Sequence, residues 1–134
     1  MKSNLQRSEP LKQITIIVLL LTVQRIFALE DGLPGALEAG WQGHKVCELL
    51  HEDEMVRTLR CTFPPGTGHE RHYHPPHFGY VLKGGGTMRI TDDSGVRDSS
   101  GVTDGTWQSE GVPWHHVVNV GNTTSQYLIV EKKY

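Results

Sequence analysis

The feature that most constrains this fold is a series of short apolar runs interrupted by glycine and proline. From residue 44 onward, no segment keeps a helical period over ten residues. Strand-like runs alternate with turn residues instead, and glycine alone accounts for 15 of the 134 residues. The runs cover residues 44–50, 55–63, 80–82, 87–91, 106–108, 116–120 and 126–130. Many short strands with glycine-rich turns predict an all-β domain, either a sandwich or a barrel.

The N-terminal end of the chain has a different composition. Residues 1–12 carry three basic side chains, and residues 14–23 are almost wholly apolar. A basic region followed by about 7–15 apolar residues is typical of a secretory signal, and a stable membrane span needs about 20. We therefore expect a secreted or periplasmic protein if the signal is cleaved, and a membrane-associated one if it is not. The predicted parts are a signal peptide over 1–28, an irregular lead-in arm over 29–43 and one barrel over 44–134.

The length of the chain limits the number of domains, and its net charge limits the classes of binding partner. A chain of 134 residues accommodates one small domain. Its formal charge of −2 leaves no broad basic face, so we expect no nucleic-acid partner.

The two cysteines, Cys47 and Cys61, would be able to pair in an oxidising compartment. A hairpin turn at Glu52–Asp53 would set Cys47 opposite a residue near Thr58 rather than opposite Cys61. This register predicts two unpaired, buried thiols.

Histidines are concentrated in one stretch. His72 and His74 are two residues apart, so on a strand both side chains face the same side and can chelate one ion. His69 and His77 flank this pair, and His115 and His116 follow in a later strand-like run. Neutral imidazole is a common ligand of divalent transition metals, among them Fe, Mn, Ni, Cu and Zn. A tract of solvated surface histidines is the alternative explanation of the same pattern.

These residues resemble the two motifs of the cupins, approximately Gly-x5-His-x-His-x3/4-Glu-x6-Gly and Gly-x5-Pro-x-Gly-x2-His-x3-Asn. Gly66 precedes His72 by the expected five residues, and Gly84 closes the first motif. The second motif is similar over residues 111–119, with His115 and Asn119 at the ligand and asparagine positions. That segment is one residue longer than the pattern. The resemblance implies a single cupin-type barrel, a double-stranded β-helix or jelly roll, with a metal inside and often a homodimer.

The resemblance also implies the ligands, His72, His74, His77 and His115, and the sequence departs from the family at one of them. His77 stands where the motif has glutamate, one residue early. The metal then has either four histidine ligands or only three, with His77 aimed elsewhere. His116 should face away from the ion, unless the extra residue Trp114 shifts the register and makes it the ligand. His69 is expected at the rim.

A histidine site without a carboxylate leaves the metal more electrophilic, which favours anionic substrates. We therefore expect a cupin-type oxygenase, with iron slightly favoured, acting on a small enolic, phenolic or thiol substrate. A non-catalytic barrel that binds metal and a small molecule, or a metal-dependent isomerase, is the alternative, because fold analogy alone does not fix chemistry. The candidates for the substrate pocket are Phe78, Tyr80, Trp107 and Trp114.

Overall fold

Strand pairing over residues 32–134, the part of the chain that the computed structural model describes, produces two antiparallel sheets with a cavity between them. The strands are β1 (Gly40–Trp41), β2 (His44–Lys45), β3 (Cys47–Glu52), β4 (Val56–Phe63), β5 (Gly68–His74), β6 (His77–Lys83), β7 (Met88–Asp92), β8 (Gly95–Ser99), β9 (Thr106–Ser109), β10 (Val112–Asn119) and β11 (Ser125–Lys132). The prediction of an all-β domain is confirmed. The predicted signal over residues 1–28 lies outside the described residues. No helix within residues 32–134 is long and apolar enough to cross a membrane.

The larger sheet has the strand order β3-β4-β11-β6-β9 and the smaller sheet β5-β10-β7-β8. Strand β8 was missing from the sequence prediction because all five of its residues are exposed, which removes the apolar alternation that marks a strand. The two-residue strands β1 and β2 pair separately. The two sheets thus enclose a space whose walls come from strands distant in sequence.

The hydrophobic core lies between the two sheets, and several of its residues also line the cavity. Leu59 is fully buried, and Phe63, Met88, Val117 and Ile129 are at most 8% exposed. Burying one side chain of this size stabilises a fold by about 1.5–3 kcal/mol. These residues come from both sheets, so their packing holds the two walls together.

Asn119 fastens the end of β10 to neighbouring segments. Its buried side-chain amide donates hydrogen bonds of 2.8 Å to the carbonyls of Phe63 and Thr123, and its side-chain oxygen accepts one from the Gly121 N–H. Its own carbonyl accepts from Gly66, which needs glycine because φ is +77°. The glycine of the first motif and the asparagine of the second therefore meet in one turn.

The turn between β3 and β4 lies two residues later than predicted. The Asp53 carboxylate accepts hydrogen bonds from the N–H groups of Met55 and Val56, at 2.8 and 2.9 Å, and the Asp53 N–H donates to the Val56 carbonyl. Asp stabilises turns in this way because its short side chain reaches the backbone two residues on.

This shift overturns the prediction of unpaired thiols. The later turn moves the register of the hairpin by four residues, and an extra residue in β3 between Leu49 and His51 moves it back by one. Cys47 therefore lies opposite Cys61 instead of Thr58, and the two form a disulfide. Both cysteines are at most 3% exposed.

The predicted lead-in arm contacts the smaller sheet. Gly35 forms a parallel bridge with Tyr73, whose N–H donates a 3.1 Å hydrogen bond to the Pro34 carbonyl. Ala36 is completely buried and belongs to the core. The barrel wall at β5 is thus built partly from residues that precede the first long strand.

Candidate metal centre

A bulge in β5 sets which histidines face the cavity. His69 lies opposite Val117 and His72 opposite His115, so β5 holds one residue more than β10 between these two pairs. In a regular strand, residues three apart face opposite sides, but the extra residue turns both His69 and His72 inward. His74, two residues further on, faces the same side.

A second bulge lies in β10. Val112 is opposite His74 and His115 opposite His72, so β10 holds the extra residue here. This is the residue by which the segment exceeds the second cupin motif. His115 consequently lines the cavity, and the neighbouring His116 packs against the Trp41 ring with the centroids 5.7 Å apart.

Three imidazoles converge where the two bulged strands meet. The Nε2 atom of His72 lies 3.0 Å from Nε2 of His74 and 3.0 Å from Nε2 of His115. The other ring nitrogens of the β5 pair are engaged: His72 Nδ1–H donates to the Glu70 carbonyl at 2.6 Å, and His74 Nδ1–H to Glu131 at 2.8 Å. Because a neutral imidazole has one proton, which His72 carries on Nδ1, His72 turns a bare Nε2 lone pair towards the other two rings.

Burial, followed by the neighbouring imidazoles, lowers the pKa of His72 to about 2 and that of His115 to about 3. Both rings are therefore uncharged at neutral pH, the form in which imidazole binds a metal. The donor set of His72, His74 and His115 fits a divalent transition metal, because imidazole nitrogen lone pairs coordinate such ions.

A carboxylate stands behind one of these histidines. Glu131 on β11 is 1% exposed and accepts from His74 through one oxygen and from Arg57 through the other, at 2.8 and 3.0 Å to the guanidinium. Burial alone would raise the pKa of Glu131, but the hydrogen bonds from His74 and Arg57 outweigh it and lower that pKa. Arg57 also binds Glu38. The motif's glutamate ligand is absent from this chain. Glu131 instead supplies a negative charge behind the ligand His74, where its hydrogen bond orients the ring.

His77 lies in the same wall but outside this group of three. Its ring centroid is 4.9 Å from that of His74. Its Nδ1–H donates to the Pro75 carbonyl, and its Nε2 accepts from the Trp107 indole N–H at 3.4 Å. Gly79 makes room for this indole, because a Cβ there would lie 2.1 Å from the ring. The arrangement gives the His77 lone pair a partner other than an ion.

The cavity that the histidines line has a volume of about 400 Å³. Most of its remaining wall is apolar and comes from both sheets, with Phe63, Val81, Met88, Ile90 and Ile129 among the lining residues. A space of this size and character suits a small organic molecule bound beside a polar group.

Of the four aromatic residues predicted to line the pocket, the structure places Trp107 there and the other three elsewhere. Phe78 and Tyr80 alternate with His77 along β6 and face the opposite side, where Phe78 is 38% exposed. Trp114 sits in the β10 bulge, with the Arg71 guanidinium 4.1 Å above its ring. Strand alternation, fixed once His77 faces inward, accounts for the first two.

The prediction that His69 lies at the rim is wrong. Its side chain is 2% exposed and its ring centroid is 3.8 Å from that of His72, inside the cavity wall. Burial lowers the pKa of His69 to about 4, so the imidazole is neutral. The prediction took His69 to precede the chelating strand, whereas β5 begins at Gly68 and a bulge turns His69 inward.

Comparisons with known proteins agree with this architecture. No family model and no curated protein sequence matches the chain. Solved structures do match. A cupin domain from Bordetella pertussis Tohama I is 19% identical, covering 76% of this chain and 97% of that one, with a TM-score of 0.62. An RmlC-like cupin with a double-stranded β-helix fold from Methanocaldococcus jannaschii is 18% identical over 65% of this chain and 78% of that one, with a TM-score of 0.54. A DMSP lyase from Ruegeria pomeroyi DSS-3 is 14% identical over 64% of this chain and 45% of that one, with a TM-score of 0.50.

Together, the two sheets and the inward histidines define a small β-barrel with a site suited to a metal. The barrel has the cupin fold, the double-stranded β-helix, and the resemblance drawn from the motifs is confirmed at the level of the fold.

Proposed function

We propose that this protein is an iron-dependent dioxygenase acting on a small anionic substrate of the enolic, phenolic or thiol class. The observation that carries the proposal is the convergence of His72, His74 and His115, through their Nε2 atoms, on the wall of an otherwise apolar cavity. Three protein ligands leave coordination positions free, as a catalytic rather than a structural site requires.

The ligand set is all nitrogen, which suits ferrous iron as well as zinc, and iron is proposed because dioxygenase chemistry needs a redox-active ion. When bound, ferrous iron supplies the electrons and the open positions that reaction with O₂ needs.

Arg97 supports an anionic substrate. It lies opposite Ile90 on β8, so its side chain faces the cavity with that of Ile90, and it is half-exposed and paired with Asp92 at 2.6 Å. Among the described lining residues it is the one charged side chain besides the histidines. The Arg97 guanidinium and the metal ion would then bind the two ends of a substrate that carries a negative group at each end.

In a dioxygenase both atoms of one O₂ molecule enter one substrate molecule, so no separate reductant is consumed. With an enediol or catechol, the bond between the two oxygenated carbons and the O–O bond break, and each carbon gains one oxygen. With a thiol, two S–O bonds form and the product is a sulfinic acid. In either case the side chains of this chain bind and orient the substrate and exclude water from the apolar cavity.

The test is O₂ uptake by protein reconstituted anaerobically to one Fe(II) per chain, with a panel of catechols, 1,3-diketones and thiols. We expect uptake that depends on one substrate class, is lost in His72→Ala, and is retained in the matched control His116→Ala. In Arg97→Gln we expect a higher KM and an unchanged kcat. No uptake with any compound at full iron occupancy would contradict the proposal.

One observation favours the alternative, a barrel that binds metal and ligand without chemistry. No carboxylate is among the described residues that line the cavity, so the side chain most used as a general base besides histidine is missing there. This alternative predicts that a compound of the panel binds saturably and is recovered chemically unchanged after hours in air. A product detected by mass spectrometry would exclude it.

We further propose that the protein is exported and acts as a homodimer. The disulfide between Cys47 and Cys61 supports an oxidising compartment, since such bonds are rare in the cytosol. Exposed apolar side chains on the outer face of β6, Phe78 and Leu82, support pairing of two copies. Sedimentation of the purified protein, and N-terminal sequencing of the exported form, test these points.

A further inference from the structure

His69 carries a buried nitrogen that the metal centre does not use. Its Nε2 has no hydrogen-bond partner among the described residues, and the side chain is 2% exposed. A buried polar atom without a partner destabilises a fold, so its persistence needs an explanation. The group of three histidines that can share an ion does not include His69.

The protonation of the other ring nitrogen, Nδ1, determines whether Nε2 donates or accepts a hydrogen bond. The backbone of Ala36 and Ala39, in the segment before β1, lies beside the His69 ring and acts to raise its pKa, as carbonyl oxygens facing a ring N–H do. With Nε2 unpartnered, the ring proton is assigned to Nδ1. A neutral imidazole with its proton on Nδ1 has a bare Nε2, which accepts a hydrogen bond and does not donate one.

The position of this acceptor relates it to the ion. The rings of His69 and His72 stack with centroids 3.8 Å apart and planes 33° apart, and both line the same cavity. Phe63, an apolar residue of the same cavity wall, packs beside His69 at 6.1 Å between centroids. A molecule bound to a metal at His72 would therefore share the cavity with the His69 ring.

We propose that His69 is a specificity-determining residue: its Nε2 accepts a hydrogen bond from a hydroxyl group adjacent to the oxygen by which the substrate binds the metal. This inference rests on the proposed function and narrows its substrate class. Vicinal dioxygen compounds, enediols and catechols, offer one ionised oxygen to the ion and one O–H to His69. Thiols and simple phenols lack the second group and leave the acceptor unpaired.

The test measures binding, not turnover, and uses redox-inactive Zn(II)-loaded protein with two chromophoric probes, 4-nitrocatechol and 2-methoxy-4-nitrophenol. The second probe keeps the acidic hydroxyl and replaces the other hydroxyl with a methyl ether. We expect wild-type protein to bind the catechol about tenfold to a hundredfold more tightly, because a buried acceptor is left unpaired by the ether. In His69→Phe this preference should fall about tenfold, with zinc stoichiometry unchanged.

Two further variants separate the proposed role from general damage. His69→Gln retains an acceptor and should recover part of the preference. His116→Phe, which alters a neighbouring histidine outside the cavity, should keep all of it. A wild-type preference in His69→Phe would overturn the inference, since the preference would then come from chelation by both oxygens. Loss of zinc from His69→Phe, or binding of neither probe to wild-type protein, would overturn it as well. Absence of O₂ uptake by the iron form would count against the proposed dioxygenase alone.

Discussion

The β5–β10 pair and the β3–β4 hairpin contain the same irregularity with different consequences. Each has strands whose register is displaced by an extra residue, two such bulges in the first pair and one in the second. In β5–β10 the bulges turn His69, His72 and His115 into one cavity. In β3–β4 the bulge brings Cys47 opposite Cys61.

The two regions also differ in what holds the displaced register. The hairpin is fixed locally, by the Asp53 turn and by a covalent bond between strands. The β5–β10 pair has no such link, and its inward histidines depend on hydrogen bonds to carbonyls and to Glu131 from elsewhere in the fold. The site should therefore be sensitive to distant changes to which the hairpin is indifferent. The experiments below test this difference.

The largest effect is expected from removing one ligand. In His72→Ala the ion loses the nitrogen that lies within 3.0 Å of both others, so bound metal should disappear after dialysis. His116→Ala, on the adjacent but outward position of β10, should keep one metal per chain. Elemental analysis of both proteins measures this, and full metal in His72→Ala would show that the bulges do not build the site.

Between pH 7 and pH 4.5, acid should destabilise the metal-free protein through the site, because the Asp53 carboxyl of the hairpin, with a pKa lowered to about 2, stays ionised over this range. The pKa values of His69, His72 and His115 are lowered from 6.5 to about 4, 2 and 3. Below pH 6.5 the unfolded chain then binds more protons than the folded one. The free energy of unfolding therefore decreases as the pH is lowered, by up to about 4 kcal/mol per pH unit for three groups.

Urea unfolding of chelator-treated protein between pH 7 and pH 4.5 measures this slope. His69→Phe should reduce it by about 1.4 kcal/mol per pH unit, the contribution of one proton. Equal slopes for the two proteins would mean that His69 is not buried in its neutral form.

Removing the disulfide should affect stability and leave the metal in place. A bond closing a loop of about 15 residues stabilises a fold by about 3 kcal/mol, and Cys47 and Cys61 are 14 residues apart. The Cys47→Ala/Cys61→Ala protein should lose about that much free energy of unfolding, with its metal content unchanged. Wild-type protein whose thiols are shown to be reduced serves as the matched comparison, and unaltered stability there would contradict the assignment.

Glu131→Gln should weaken metal binding without touching a ligand. The change removes the charge behind His74 while keeping an acceptor oxygen, and loss of such outer partners typically costs about 10–100-fold in affinity. Glu48→Gln, which breaks the exposed pair with Arg60, is the control and should leave affinity as it is. Competition with a chromophoric chelator measures both, and equal affinities would remove Glu131 from the account of the site.

The smallest effect belongs to the hairpin turn. Asp53→Ala removes the acceptor of two backbone N–H groups and should cost about 1 kcal/mol of unfolding free energy. Asp98→Ala, which removes an exposed ion pair with Arg89, should cost less. Thermal unfolding ranks the two, and the reverse order would show that the Asp53 turn does not set the register.

The difference between the β5–β10 pair and the β3–β4 hairpin also explains which parts of the fold and the site could be predicted from the sequence. His72 and His74 were identifiable from the spacing of the first motif, and His115 from the second motif, although one residue more than that motif allows, the residue of the β10 bulge, precedes it. No comparable pattern constrains the hairpin, so its register rested on the choice of turn residues, and the wrong turn displaced Cys47 by three positions. His69 was missed because the sequence does not mark where β5 begins, so His69 was taken to precede the strand rather than to lie on it. Strand β8 was missed because it lacks a buried face.

The contact of the early segment with His69 has a practical consequence for where the domain is taken to begin. A fragment starting at residue 44, the first residue of the predicted barrel, would retain all three converging imidazoles and both cysteines. It would lack Ala36, a core residue, and Gly35, which bridges to Tyr73 between the ligands His72 and His74. The choice of boundary would therefore alter the wall that carries the histidines and, with it, the ligand preference. Screens for the natural substrate should therefore use a chain that includes residues 33–43.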